Sequence, residues 1–138
     1  MNRKSANYHS LVRAAKRAKL RAYVPYSNFR VGAAIRTRKG KVYTGCNIEN
    51  SSYGLTICAE RTAIFKAISE GEKEFNAIAV ASDDHDFCPP CGACRQVLMD
   101  LAPNVELVLI DKKGRERIVT LRDLFPMPFG PDHLPRKK

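Results

Sequence analysis

The sequence predicts an α/β fold, a three-layer α/β/α sandwich built on a mixed five-stranded sheet. Three observations predict it. Segments with helical apolar spacing alternate with short apolar runs through the middle of the chain, which implies parallel crossovers. Two strand-like segments early in the chain flank Thr37-Arg38-Lys39-Gly40, a hairpin turn with a late glycine, which implies an antiparallel pair. At 138 residues with no internal repeat or linker, the chain reads as a single domain, 1–138.

In chain order, the first helix is expected over Tyr8–Tyr23. Leu11, Ala14, Ala15, Ala18 and Ala22 form its apolar stripe, and Pro25 stops it. Strands follow at Val31–Arg36 and Lys41–Cys46, then an irregular stretch at Asn47–Ile57. A second helix spans Cys58–Ser69, with Ala63, Ile64, Ala67 and Ile68 facing the core and Gly71 ending it. Ala77–Ala81 reads as a buried strand, and Ser82–Pro90 as a polar loop. A third helix runs Gly92–Leu101 up to Pro103. Val105–Ile110 and a strand near Arg117–Val119 complete the sheet. Thr120, with Asp123 three residues on, caps a short helical turn, and a proline-rich tail runs Phe125–Lys138.

The net charge of +10 is unevenly placed. Residues 1–41 carry 12 of the 24 Lys and Arg and no acidic residue. An anionic partner is one reading. A solvated basic helix face, or a basic surface meeting an acidic one within an assembly, is the preferred one. The neighbouring aromatics form no stacking array, which argues against a nucleic-acid partner. No apolar run reaches the roughly 20 residues needed to span a bilayer, so no membrane role is expected. Met1–Ser5 is charged but leads into no apolar signal segment, so a cytoplasmic location is expected.

Five cysteines, at 46, 58, 88, 91 and 94, are an odd number, and three fall within seven residues. That suits a metal site better than a disulfide framework. Cys58 stands at the start of the second helix, and Cys91 and Cys94 at the start of the third. The partial positive charge of a helix N-terminus favours the thiolates that bind zinc. Three thiolates leave a tetrahedral zinc one position for water, the pattern of a catalytic site. Glu60, two residues after Cys58, is placed to take a proton from that water. Arg61 could donate to the sulfurs and withdraw charge from them, or simply face solvent. Cys88, Cys91 and Cys94 also make a C-x2-C-x2-C run, which with Cys58 would close a four-sulfur site. Pro89-Pro90 stiffens the backbone against that arrangement, leaving Cys88 as a loop cysteine. Cys46 reads as a small buried hydrophobe.

Cys58-Ala59-Glu60 and Pro90-Cys91-Gly92-Ala93-Cys94, with Leu98 beyond, resemble the zinc signature of the cytidine deaminase superfamily. Cysteine as the first ligand is similar to the small three-cysteine nucleoside enzymes. Three further blocks resemble the same family in the same order: Pro25–Ala34, Gly45–Asn50, and Leu124-Phe125-Pro126 with Phe129-Gly130-Pro131. The resemblance implies a cytidine deaminase-like fold and one zinc per subunit on Cys58, Cys91 and Cys94. It implies hydrolysis of cytidine and deoxycytidine to uridine and deoxyuridine plus ammonia, in pyrimidine salvage, by zinc-bound hydroxide with Glu60 as proton shuttle. It also implies a substrate set. Asn47 and Glu49 would bond the sugar and base edge, Phe29 would pack on the pyrimidine, and Ala59 would line the site. Tyr53 would shape the pocket across an interface, and Phe129 would come from a neighbouring subunit of a homotetramer. Outside the resemblance, Asn47 and Glu49 could be turn residues, Phe29 a core aromatic and Phe129 a tail anchor. Two other functions stay open: a deaminase of polynucleotides using the basic surface, and a non-enzymatic four-cysteine module that binds nucleic acid.

Overall fold

A computed structural model describes residues 7–135. The charged start at Met1–Ser5 and the three basic residues closing the tail lie outside the described residues. The elements are α1 (His9–Lys19), β1 (Val31–Thr37), β2 (Val42–Cys46), α2 (Ala59–Ser69), β3 (Phe75–Ser82), α3 (Gly92–Leu101), β4 (Glu106–Ile110), β5 (Glu116–Thr120) and α4 (Leu121–Leu124). Short 3-10 turns lie at Tyr53–Leu55 and Pro131–His133. The five strands form one sheet in the order β2-β1-β3-β4-β5. Only β3 and β4 run parallel, joined by the crossover through α3; the other three pairs are antiparallel. The expected mixed five-stranded sheet is therefore present.

Strand alternation divides the core in two. On β3, Ala77, Ala79 and Ala81 face α1, where they meet Leu11, Val12 and Ala15. Ile78 and Val80 face the other way, toward Ala63 and Ile64 of α2 and Leu98 of α3. Helices thus cover both faces of the sheet. Leu11, Ile78, Leu98 and Leu107 are fully buried. Each such side chain contributes roughly 1.5–3 kcal/mol through the hydrophobic effect. The face toward α1 is paved with small residues, so that helix sits close. A Cβ on Gly32 would lie 2.2 Å from the Lys19 nitrogen and 2.3 Å from the Ala15 carbonyl oxygen. Gly45 of β2 gives α2 the same latitude, with the Ala63 nitrogen 2.5 Å from where its Cβ would stand.

α1 is shorter than its sequence pattern suggests. After Lys19 the backbone tightens into i→i−3 bonds, with the Leu20, Arg21 and Ala22 amides donating to Arg17, Ala18 and Lys19 carbonyls. Tyr23 then pairs with the strand-like segment beside it: its N–H donates to Asn47 and its carbonyl accepts from Glu49. This pairing takes the chain out of the helix before Pro25 is reached. Lys16, Arg17 and Lys19 stand in the last turn of α1, against the negative end of its dipole. That placement gives three of the twelve basic residues of the first third a local structural role. β3 extends one or two residues beyond the expected run at each end. Cys46 is only partly buried, and its thiol donates to the Arg21 carbonyl. The expected cap at Thr120 forms a full capping box: Thr120 Oγ1 accepts from the Asp123 amide, and Asp123 Oδ2 from the Thr120 amide, both at 3.1 Å. No helix among the described residues is long and apolar enough to cross a membrane.

Candidate active site

α2 and α3 start side by side over the ends of β1 and β3, and a cysteine occupies each N-cap. Cys58 caps α2 and Cys91 caps α3, both in extended backbone. Neither uses its side chain as a hydrogen-bond cap, so both sulfurs are left to project. Their carbonyls begin the helices by accepting from the Thr62 and Arg95 amides. Cys94, one turn into α3, is fully buried. Ahead of Cys91 the double proline is fastened by Arg95, which donates to the Pro90 and Leu124 carbonyls, each at 2.9 Å.

These elements bring the sulfurs of Cys58, Cys91 and Cys94 within 4.8 Å of one another. Cys58 and Cys91 are 3.8 Å apart, and Cys91 and Cys94 3.5 Å. Three thiolates ~2.3 Å from a tetrahedral zinc stand ~3.8 Å apart, so the donor set fits that ion. Cys88 is not in the cluster; its sulfur turns toward the Pro89 carbonyl. The four-sulfur alternative is therefore not the arrangement among the described residues.

The electrostatics favour a thiolate. The Cys58 thiol is pulled down to about 5, chiefly because the Cys94 thiol donates to it, with Arg61 and Cys91 adding to the effect. The same contact, together with burial, pushes Cys94 up. Arg61 Nη2 lies 3.2 Å from the Cys58 sulfur, so the guanidinium of this partly buried arginine meets the sulfur cluster. Glu60 is only 5% exposed. Burial is the main cause that raises its carboxyl to about 7, and the nearby Cys58 thiolate adds to the rise. A carboxyl held there can both accept and return a proton near neutral pH.

In front of these groups lies a pocket of about 290 Å³. Phe29, Asn47, Glu49, Cys58, Ala59, Glu60 and Cys91, all among the expected site residues, line it. Ser27, Val31, Thr56, Ile57, Val80, Cys88 and Pro89 line it as well, and no local sequence signal marks them for it. Asn47 holds the wall together: Oδ1 accepts from the Val31 amide and Nδ2 donates to the Phe29 carbonyl, both at 2.9 Å. Glu49 accepts from the Tyr26 and Ser27 amides at 2.9 and 3.1 Å and from the Ser27 hydroxyl, which keeps its carboxyl ionised below the usual carboxylate range. Two expected residues lie outside this pocket. Tyr53 is 74% exposed and meets Tyr26 edge-on, lining a neighbouring hollow with Glu49 and Thr56. Phe129 is 56% exposed and stacks on His133.

A mixed sheet with three clustered thiols and a buried acid at two helix starts defines a class: zinc-dependent hydrolases whose metal is held by three protein ligands. Comparison with known proteins narrows it. The family described as cytidine and deoxycytidylate deaminase zinc-binding region matches residues 5–110. A cytidine deaminase of Halalkalibacterium halodurans is 50% identical over 120 residues, 86% of this chain and 91% of the relative. A cytidine deaminase structure from Burkholderia pseudomallei superposes with a TM-score of 0.85 at 52% identity, covering 88% of this chain and 98% of that one. One from Mycobacterium tuberculosis gives 0.76 at 41% identity, covering 90% and 98%. The chain belongs to the cytidine and deoxycytidylate deaminase family.

Proposed function

We propose that this chain hydrolyses the exocyclic amine of free cytidine and deoxycytidine, releasing ammonia and leaving uridine or deoxyuridine. In this reading residues 1–138 act as a single domain, in the cytoplasm, in pyrimidine salvage, as a homotetramer with one zinc per subunit. The observation that carries the chemistry is the Glu60 carboxyl, buried beside the three-sulfur cluster at the floor of the pocket. The relatives' names supply the substrate class.

Zinc on Cys58, Cys91 and Cys94 supplies a Lewis acid that makes water a nucleophile at neutral pH. Glu60 takes the proton of the attacking water on a carboxylate oxygen and passes it to ring N3. It then carries the second hydroxyl proton to the amine, which leaves as ammonia. Its raised proton affinity suits both steps. Arg61 draws charge from the Cys58 sulfur and so limits how far three thiolates quench the metal. Ala59 and Phe29 flank the base. Asn47 and Glu49 present polar edges to the sugar while bracing the wall behind it. Tyr53 and Phe129, exposed and outside their own chain's pocket, complete the site of a neighbouring subunit.

The test follows ultraviolet absorbance of cytidine with purified protein before and after zinc chelation; activity is expected to vanish with the metal and return on its re-addition. Glu60→Gln should retain zinc and lose more than 100-fold in turnover, whereas activity within tenfold of the parent, about 1.4 kcal/mol in barrier, contradicts the shuttle. Arg61→Gln in the same assay should lose zinc to the chelator faster than the parent.

A further inference from the structure

The pocket wall has two sides, and only one faces the ligand. Phe29 and Val31 line the pocket, and Arg30 between them does not. On the pocket side Asn47 ties Phe29 and Val31 together. On the other side stands Asp83, the first residue after β3. Its Oδ2 accepts from the Arg30 amide at 3.0 Å and from Arg30 Nε at 2.9 Å. Its Oδ1 accepts from Arg30 Nη2 at 3.2 Å and pairs with Lys19 Nζ at 3.0 Å. The Asp83 amide donates back to the Arg30 carbonyl at 3.1 Å. Arg30 is thus held at both backbone groups and at its guanidinium by one residue. Asp83 is itself anchored to α1 through Lys19, whose Nζ also reaches the Ser82 carbonyl.

We propose that Asp83 is a positioning residue for the substrate pocket: by gripping Arg30 from behind, it sets where Phe29 and Val31 stand relative to the start of α2. Asp83 touches no pocket surface, so it acts through its neighbours. The segment it grips needs an external hold. It enters β1 through Asn28, whose φ of 57° places a non-glycine residue in the left-handed region. The Asp83–Lys19 pair is largely shielded, with side chains 16% and 15% exposed, while Arg30 on the outer side is 41% exposed. The Lys19 anchor therefore resists salt better than a surface pair. The effect on turnover rests on the cytidine-hydrolase reading; the effect on the wall does not.

Two readouts separate these. Asp83→Ala should raise the KM for cytidine at least fivefold, with kcat within about twofold and zinc content unchanged. In the same variant, by NMR hydrogen exchange, the Val31 amide should exchange at least tenfold faster, although its own acceptor Asn47 is intact. Asp83→Asn, which keeps an acceptor for the Arg30 amide, should shift both less. Should Asp83→Ala not fold, Arg30→Gln removes the guanidinium contacts alone and should move both readouts the same way by a smaller factor. An unchanged Val31 exchange rate overturns the grip. Faster exchange with an unchanged KM, or a fall in kcat at constant KM, overturns its role in substrate positioning. If the parent chain fails to turn over cytidine, the functional reading falls, and Val31 exchange alone decides the grip.

Discussion

A single carboxylate, Asp83, shows how much one side chain can organise, and it also ties part of the stability to pH. Its contacts with Arg30 and Lys19 hold its proton affinity well below the ordinary Asp value. A carboxyl whose folded affinity is depressed adds stability above its unfolded pKa, about 3.9, and loses it as pH falls below that value. The stability difference between the parent and Asp83→Asn should therefore be full at pH 6 and narrow by about 1 kcal/mol at pH 3, read from urea midpoints at the two pH values. A constant difference contradicts the ionised pairing. Asp83 also marks where sequence reading stops. The three-sulfur cluster is legible, because Cys91 and Cys94 sit three apart and Cys58 and Glu60 two apart at helix starts. The partnership of Asp83 with Arg30 spans 53 positions, and nothing local announces it. Pro89-Pro90 signals that Cys88 stands outside the three-sulfur cluster, yet its place in the pocket wall depends on how the Ser82–Pro90 loop folds back.

Among elements, β1 is the most constrained, packed between α1 on one face and α2 on the other. Gly32 is the point of closest approach to α1. Gly32→Ala drives a methyl into backbone atoms and cannot be relieved by a side-chain rotation. It should cost about 3 kcal/mol or more, the upper end of overpacking penalties. Gly54→Ala, with open space around it, should stay within about 0.5 kcal/mol. Denaturant midpoints of the two variants check this, and equal values refute the close approach. The element reading from sequence succeeded where periodicity and end signals agreed, as at α2, α3 and the Thr120 cap. It overran at α1, because Ala18 and Ala22 keep the helical period while Tyr23 is recruited by Asn47 and Glu49. Tertiary pairing decided that boundary, and no residue before Pro25 signals it.

At the scale of the whole molecule, the proposed tetramer can be weighed against the large apolar residues left exposed on one chain. Tyr26, Tyr53, Leu55, Phe65 and Phe129 are all exposed. Isolated exposed hydrophobes are ordinary, but Tyr26 and Tyr53 share one hollow beside the pocket, which fits burial between copies of the chain. The proposed tetramer should sediment at four times the 15.5 kDa of one chain. Sedimentation at the mass of a single chain would exclude it, and with it the roles given to Tyr53 and Phe129.

The bonds that Asn47 and Glu49 make with the Tyr26–Val31 backbone carry one more consequence. The cleft acquires its shape while the polypeptide folds, so the entropy of ordering it is already spent when a small molecule arrives. Recognition then works as a rigid lock, and ligands that differ in fit should differ mainly in how quickly they escape.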